Sequence, residues 1–197
     1  MTFRLSVSVA IVLGLAACSQ SESPAARAAA GEWITLFDGT SLVGWTPDGD
    51  ANWEVGNGAV HADSGTGFLL TNAVYDDFDL KLEFWVSPDA NSGVFIRCAE
   101  PGKIGAATCY EVNIFDQRPD PAFRTGAIVD VAKPAVMLDT GDRWNTYEIS
   151  ARGRQLAVKL NGQTTVDTQD DKFAAGPIAL QYGAGRVMFR NVQILPY

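Results

Sequence analysis

The chain has 197 residues, 19 of them glycine, and its formal net charge is −8 at pH 7. This acidic balance argues against a nucleic-acid partner and against binding to an anionic membrane surface through basic patches. Roughly 165 residues remain after the N-terminal segments described below, enough for one domain with a substantial core. Five tryptophans, five tyrosines and many glycines in such a chain favour a turn-rich β structure.

The N-terminus is typical of an exported bacterial protein. Arg4 precedes an apolar run from Leu5 to Leu15, which has the length of a secretory signal core and is too short to span a bilayer. The Leu-Ala-Ala-Cys sequence that follows resembles a bacterial lipobox. It predicts that residues 1–17 are a lipoprotein signal peptide and that Cys18 is lipidated. An ordinary cleaved signal or a buried N-terminal strand are the alternatives.

Residues 18–31 lack apolar periodicity and are predicted to form a flexible tether from the lipidated Cys18. The residues after Cys18 would give an end-to-end distance of about 20 Å. Ser19, rather than an aspartate, follows the cysteine, which by resemblance to Gram-negative lipoproteins predicts the outer membrane. We therefore expect an exported protein that contacts the membrane only through its lipid anchor.

From Glu32 onward the chain reads as a succession of short strands. Asp38-Gly39, Asn57-Gly58 and Asn161-Gly162 are turn signals, and the last two are typical of tight hairpins. The segment 77–87 alternates strictly, with large apolar residues on one face and polar residues or tryptophan on the other. Strands that recur every 8–12 residues or so between turn signals predict an all-β fold, an antiparallel β-sandwich of the jelly-roll class.

One predicted hairpin, residues 91–117, carries polar groups inside otherwise apolar strands. Arg97 lies at the end of its first strand, and Glu111 and Asn113 lie on its second. Such groups indicate a ligand site on the outer, concave face of a curved sheet. A cross-strand ion pair between Arg97 and Glu111 is the structural alternative.

Two cysteines flank the loop of this hairpin. In an oxidising compartment Cys98 and Cys109 are predicted to form a disulfide, which would stabilise the fold by about 2–3 kcal/mol. A metal site is the competing interpretation, although the chain has a single histidine. If the cysteines lay directly opposite each other, Ile96 would face Glu111 and Arg97 would point away. A shared face for Arg97 and Glu111 therefore requires a one-residue offset or a bulge.

Seven segments carry a family resemblance. They are, in chain order, LFDGTSLVGW, NSGVFIR, YEVNIFD, TGAIV, WNTYEI, LNG and GPIALQ…VMFRNVQI. Together they resemble the 3-keto-disaccharide hydrolase domain family over residues 32–197, which implies a concanavalin-like jelly-roll. Relatives in this family cleave glycosides whose carbon 3 is oxidised to a ketone. The resemblance implies a periplasmic or surface enzyme that acts on 3-keto-glycosides by elimination and hydration.

This chemistry needs a base for the acidic hydrogen on carbon 2 and a cation or strong donors at the enolate oxygen. Glu111 is the predicted base and Arg97 the predicted enolate stabiliser. Six further residues are predicted to bind the sugar: Asn113, Glu83, Gln181, Trp85, Asp116 and Tyr182. Bland alternatives stay open for three of them, since Asp116 could cap a turn, Glu83 could balance Lys81, and Trp85 could fill an edge groove.

The sequence departs from the family pattern at Tyr182, where many relatives have a histidine after the final Leu-Gln. A tyrosine is a poor base at neutral pH and a poor metal ligand, which argues against a histidine-based metal site. A divalent cation bound by carboxylates stays open. This departure keeps a noncatalytic carbohydrate-binding lipoprotein as the alternative function, with a purely structural envelope protein as a third. We expect a monomer with a carbohydrate ligand.

Overall fold

The computed structural model of the protein describes residues 31–100 and 102–197. The predicted signal peptide, the lipidation site Cys18 and nearly all of the tether lie outside the described residues, so those assignments stay predictions. Across the described ranges, no helix is both long enough and apolar enough to cross a bilayer.

The described residues form thirteen strands and one 3-10 turn at Pro121–Phe123. In chain order the strands are β1 (Ile34–Phe37), β2 (Trp45–Gly49), β3 (Glu54–Gly56), β4 (Ala59–Ala62), β5 (Gly67–Thr71), β6 (Phe78–Val86), β7 (Asn91–Ile96), β8 (Tyr110–Ile114), β9 (Trp144–Arg152), β10 (Gln155–Leu160), β11 (Gln163–Gln169), β12 (Ala179–Ala184) and β13 (Val187–Pro196).

These strands make two antiparallel sheets. The large sheet has the order β11-β10-β9-β6-β13-β4-β3, and β1 also pairs with β13. The small sheet has the order β2-β5-β12-β7-β8. Their inner faces pack against each other around one apolar core, which confirms the predicted antiparallel β-sandwich.

Strict alternation along the strands builds the core. On β6, the inward residues Phe78, Leu80, Leu82 and Phe84 are at most 1% exposed, whereas the residues between them are partly exposed. Tyr147 reaches across the core from the large sheet and donates a 2.6 Å hydrogen bond to the backbone carbonyl of Asn113 on the small sheet. This bond fixes the position of β8 relative to the large sheet.

The predicted Asn-Gly turns close two tight hairpins. Asn57 and Gly58 join β3 to β4, and Asn161 and Gly162 join β10 to β11. All four residues have positive φ values between 51° and 78°. Two consecutive positive φ values define the primed hairpin turn that matches the natural twist of the flanking strands.

Cys98 and Cys109 form the predicted disulfide. The ladder pairs Phe95 with Glu111, which is the one-residue offset that the sequence left undecided. Arg97 then adopts a left-handed backbone with φ +51°, and this local irregularity interrupts the alternation. Cys98 consequently packs on the outer face beside Phe95, and the arginine side chain is buried.

Candidate functional site on the small sheet

Two cross-strand rows run along the outer face of the small sheet. Residues that pair directly across a ladder point to the same face, so each row can be read from the register. The first row contains Phe68, Gln181, Gly93 and Asn113 on four neighbouring strands. The second row contains Leu70, Ala179, Phe95 and Glu111 on the same strands. Polar residues thus stand next to aromatic and small residues on one surface.

Glu111 is the titratable group of this surface. Burial raises the pKa of its carboxyl to about 7, even though the positive charge of Arg118 lowers it; the negative charge of Asp130 adds to the rise. A carboxyl with a pKa near 7 is half-ionised at neutral pH and can both accept and return a proton. Its surroundings therefore suit general acid–base chemistry.

Two side-chain oxygens next to Glu111 have no hydrogen-bond donor. The amide of Asn113 is only 4% exposed, and its Nδ2 donates to the backbone carbonyl of Phe123, which leaves the buried Oδ1 without a partner. Oε1 of Gln181 is also buried and without a partner. Buried polar atoms in native proteins are nearly always hydrogen-bonded, so a pair of exceptions on one surface indicates a place where a ligand supplies the donors.

The surroundings of the site are apolar and rigid. Phe68 and Phe95 pack edge to face with their ring centroids 5.2 Å apart. Ile104, from the loop closed by the disulfide, packs against the small cluster that contains Phe95 and both cysteines. The disulfide thus holds this loop beside Glu111 at one end of the site.

A long loop after β8 covers the other edge of the site. Residues 126–129 run beside β8, where the Asn113 N–H donates to Ala127 and the Val129 N–H donates to the Glu111 carbonyl, both at 3.0 Å. The backbone of β8 is therefore bonded on both sides, even though β8 is the last strand of the small sheet. This pairing restrains Glu111 and Asn113 as well as a central strand would.

Arg118, on the same loop, is a functional candidate that the sequence analysis missed. Its guanidinium lies 5.5 Å from the ring centroid of Phe115 and 5.7 Å from that of Phe123. Among the described residues no carboxylate forms an ion pair with it, yet its charge acts on Glu111. The only signal in the sequence was a cation shortly after β8, because strand alternation does not determine where a loop residue lies.

Comparison with known proteins gives the site a family. Residues 32–195 match the model of the 3-keto-alpha-glucoside-1,2-lyase-like domain. The chain belongs to this family. No curated protein sequence matches this lyase-like chain.

Three solved structures are similar to this lyase-like domain. A predicted glycosyl hydrolase of Parabacteroides distasonis has a TM-score of 0.77 at 19% identity, with 87% of this chain and 96% of that chain covered. A second one from the same organism has a TM-score of 0.74 at 22% identity, covering 84% and 100%. The carbohydrate-binding module CBM66 of Bacillus subtilis has a TM-score of 0.59 at 20% identity, covering 76% and 93%. At these identities the likeness shows a shared fold.

The structure does not bring Arg97, the predicted enolate stabiliser, to Glu111. Arg97 is 1% exposed, and its guanidinium donates to Asp77 at 2.8 Å and to the backbone carbonyls of Asp76 and Gly153 at 2.7 and 2.8 Å. These partners lie in loops at one end of the sandwich. Arg97 is therefore a structural cation that ties loop ends together, because its left-handed backbone turns it away from the outer face.

Glu83 and Trp85 also lie away from the lyase-like site. Both are on β6, on the outer face of the large sheet and so on the opposite side of the sandwich from Glu111. Glu83 accepts hydrogen bonds from Arg190 at 2.9 and 2.6 Å and from Asn191 at 2.7 Å. The prediction failed because alternation identifies outward residues without saying which of the two outer faces they occupy.

Asp116 and Tyr182 are structural as well. Asp116 accepts hydrogen bonds from Thr125, from the backbone and hydroxyl of Thr140, and from the Gly141 N–H, so its carboxylate organises the loops. Tyr182 points into the core and its hydroxyl donates to the Gly185 carbonyl at 3.0 Å. Only Glu111, Asn113 and Gln181 of the predicted site residues share the outer face of the small sheet.

No group of three or more histidine, cysteine, aspartate or glutamate side chains within residues 31–100 and 102–197 is arranged to hold a metal ion. The single histidine of the chain, His61, lies on β4 in the large sheet. The donors near Glu111 are instead amide oxygens and a guanidinium. This set is suited to hydroxyl groups and to a polarised carbonyl.

Proposed function

We propose that this protein is a lyase that cleaves 3-keto-glycosides on the outer face of its small sheet, with Glu111 as the base. The observation that carries the proposal is the buried Glu111 carboxyl with a pKa of about 7, which lies among partnerless acceptors and near an unpaired guanidinium. Membership of the 3-keto-alpha-glucoside-1,2-lyase-like family supports the choice of a ketone at carbon 3 of the sugar.

The reaction begins with removal of a proton. Ionised Glu111 takes the hydrogen from carbon 2, where the neighbouring ketone has made it acidic, and the electrons of that bond form an enolate. Collapse of the enolate forms the double bond between carbons 1 and 2 and breaks the bond from carbon 1 to the leaving oxygen. The protonated Glu111 can return its proton to that oxygen. Addition of water to the unsaturated keto-sugar then makes the net result a hydrolysis.

Arg118 takes the part that the sequence analysis gave to Arg97. The guanidinium is held between two aromatic rings and has no carboxylate partner among the described ion pairs, so its charge is available to a developing enolate oxygen. Loss of such a donor in an enzyme site typically lowers the rate by about 100-fold or more. Arg118 also lies on a loop, which would let it settle on the substrate after binding.

We place this activity outside the cytoplasm on the basis of the N-terminal sequence. Lipidation of Cys18 would hold the domain at a membrane surface, with the outer membrane of a Gram-negative bacterium as the destination. The disulfide between Cys98 and Cys109 supports an oxidising compartment. Fractionation of cells that express Cys18→Ala tests this: the variant should move from the membrane to the soluble fraction, and retention in the membrane would contradict lipid anchoring.

Turnover of a chromogenic 3-keto-α-glucoside by the purified protein tests the activity. The unoxidised glucoside is the substrate control, and Glu148→Gln is the matched control for Glu111→Gln, since Glu148 is exposed on the large sheet. The proposal predicts release from the keto substrate alone, with release lost in Glu111→Gln and kept in Glu148→Gln. Equal release by both variants would remove Glu111 as the base.

A noncatalytic carbohydrate-binding role is the second candidate. It is favoured by the absence of histidine from the described site, since the chain's one histidine lies on the large sheet and Tyr182 faces the core. The shared fold with CBM66 is consistent with it. Saturable binding of a sugar without release from any keto substrate, with or without added divalent cation, would favour this role over the lyase.

A further inference from the structure

Gly93 lies at the centre of the polar surface and leaves a space above the sheet. It pairs with Gln181 on one side and with Asn113 on the other, so it separates the two partnerless oxygens. By the usual spacing of strands, the two flanking residues are about 10 Å apart across Gly93. We call the space above Gly93, between the side chains of Gln181 and Asn113, the Gly93 notch.

The Gly93 notch is shaped by the missing side chain. A Cβ atom placed on Gly93 would lie 3.4 Å from Oε1 of Gln181, 3.3 Å from Cε2 of Phe95 and 3.3 Å from the Val112 carbonyl oxygen. Oε1 of Gln181 therefore points over the glycine, and even a methyl group would occupy the notch tightly. The φ of Gly93 lies outside the left-handed region, so the backbone does not require glycine there. The need for glycine at this position is consequently one of space.

The two oxygens that border the notch have one chemical requirement in common. Oδ1 of Asn113 is fixed as the free end of its amide, because Nδ2 is committed to the Phe123 carbonyl. Both Oδ1 of Asn113 and Oε1 of Gln181 can only accept hydrogen bonds. They would repel a carboxylate or a phosphate, and the neighbouring Glu111 carboxyl adds to that repulsion. A neutral group that brings its own O–H donors is what they can bind.

We propose that the Gly93 notch is the subsite that selects neutral, unmodified sugar rings by receiving two of their hydroxyl groups. Gly93 is the specificity-determining residue, since its lack of a side chain lets the ring approach the sheet closely enough for both oxygens to accept. The subsite rests on the proposed function only in its choice of a sugar ring, because its chemistry requires hydroxyl donors and not a reaction. Deoxy, O-acylated and anionic sugars are expected to bind poorly.

The test uses the 4-deoxy and 6-deoxy forms of a chromogenic 3-keto-α-glucoside alongside the parent. Wild-type protein should prefer the parent over at least one deoxy form by about 10-fold or more in kcat/KM, since an unfilled buried acceptor is left behind. In Gln181→Leu or Gly93→Ala this preference should fall to within about 2-fold, and the loss should appear mainly in KM. Gly56→Ala is the matched control, because its new Cβ would meet only ordinary contact at 3.6 Å.

A second arm measures equilibrium binding of unreactive methyl α-glucoside, its two deoxy forms and methyl α-glucuronide, so that it does not depend on catalysis. Turnover with an unchanged hydroxyl preference in Gln181→Leu and Gly93→Ala would overturn the subsite and leave the lyase standing. Binding that shows the hydroxyl preference without turnover would support the subsite and overturn the lyase. Neither turnover nor sugar binding would overturn both. Urea denaturation of each variant shows that the loss is not one of folding.

Discussion

The two outer faces of the sandwich carry similar residue types in opposite states. On the large sheet, Glu83 accepts three hydrogen bonds from Arg190 and Asn191, and Arg190 in turn stacks 3.9 Å from the centroid of Trp144. On the small sheet, Glu111 is more deeply buried and no hydrogen bond or ion pair to its carboxylate is found among the described residues. Charge that is already neutralised stabilises a surface, and charge that is not is available to a ligand.

The pKa values express the same difference. Burial raises the pKa of Glu111 to about 7. Burial also raises that of Glu83, but hydrogen bonds from Asn191 and Arg190 outweigh it and hold the pKa of Glu83 below its ordinary value. One glutamate therefore pays for being ionised in the folded protein and the other is stabilised by it. Only the first has a reason to exchange protons at neutral pH.

The largest expected effect comes from the same substitution made on each face. Glu111→Gln removes the base and should lower kcat/KM for the keto substrate by about 1,000-fold, within the range typical of a lost general base. Glu83→Gln should leave kcat/KM within about 2-fold of wild type, because it lies across the sandwich from the site. Steady-state kinetics on both variants checks this pair. A large loss in Glu83→Gln would place chemistry on the large sheet.

The two arginines sharpen the comparison at a smaller scale. Arg118→Met should lower kcat for the keto substrate by about 100-fold with little change in the free energy of unfolding, because the side chain is exposed. Arg190→Met should leave kcat unchanged and cost about 0.5–1 kcal/mol of stability, as exposed ion pairs do. Kinetics and urea denaturation measured side by side distinguish them. An unchanged kcat in Arg118→Met would remove it as the enolate stabiliser.

A third prediction reverses the sign of a stability effect between the faces. The folded pKa of Glu111 is raised, so ionisation destabilises the fold as pH rises from about 4.5 towards about 7. Glu111→Gln should thus be more stable than wild type at pH 8 and lose that advantage below about pH 4.5. The lowered pKa of Glu83 gives the opposite result, since Glu83→Gln should be less stable at pH 8 and equal to wild type in acid.

Urea denaturation at pH 4, 6 and 8 with the disulfide oxidised measures both curves. The smaller change is expected for Glu83, whose carboxylate is partly exposed and screened by solvent. Parallel curves for the two variants would show that the two carboxyls have the same environment, and the contrast between the faces would be lost.

Much of the fold follows from the sequence for simple reasons. The alternation of Phe78, Leu80, Leu82 and Phe84 determines the buried face of β6, and the Asn-Gly pairs determine two hairpins. Alternation also places Gln181 and Tyr182 on opposite faces of β12, so applying it strictly would have excluded Tyr182 from the site. These features depend on neighbours in the chain, which is why the sequence reveals them.

The site could be predicted only in part, because it depends on contacts distant in the chain. Glu83 and Glu111 have the same outward pattern, and only the strand order places them on different sheets. Arg97 follows the alternation of β7 until its left-handed φ of +51° buries it, and no neighbouring glycine signals that turn. Arg118 reaches the site through a loop, and Gly93 matters for a side chain that it lacks.

The pH dependence of kcat/KM for the 3-keto-α-glucoside tests the central role of Glu111 most directly. With Glu111 as the base, kcat/KM should rise tenfold per pH unit below about pH 7 and level off above it, following the raised pKa of that carboxyl. Glu111→Gln should be slow and lack this inflection, whereas Glu83→Gln should retain it. An inflection that persists in Glu111→Gln, or a profile without one near pH 7 in the wild type, would contradict the assignment of Glu111 as the base.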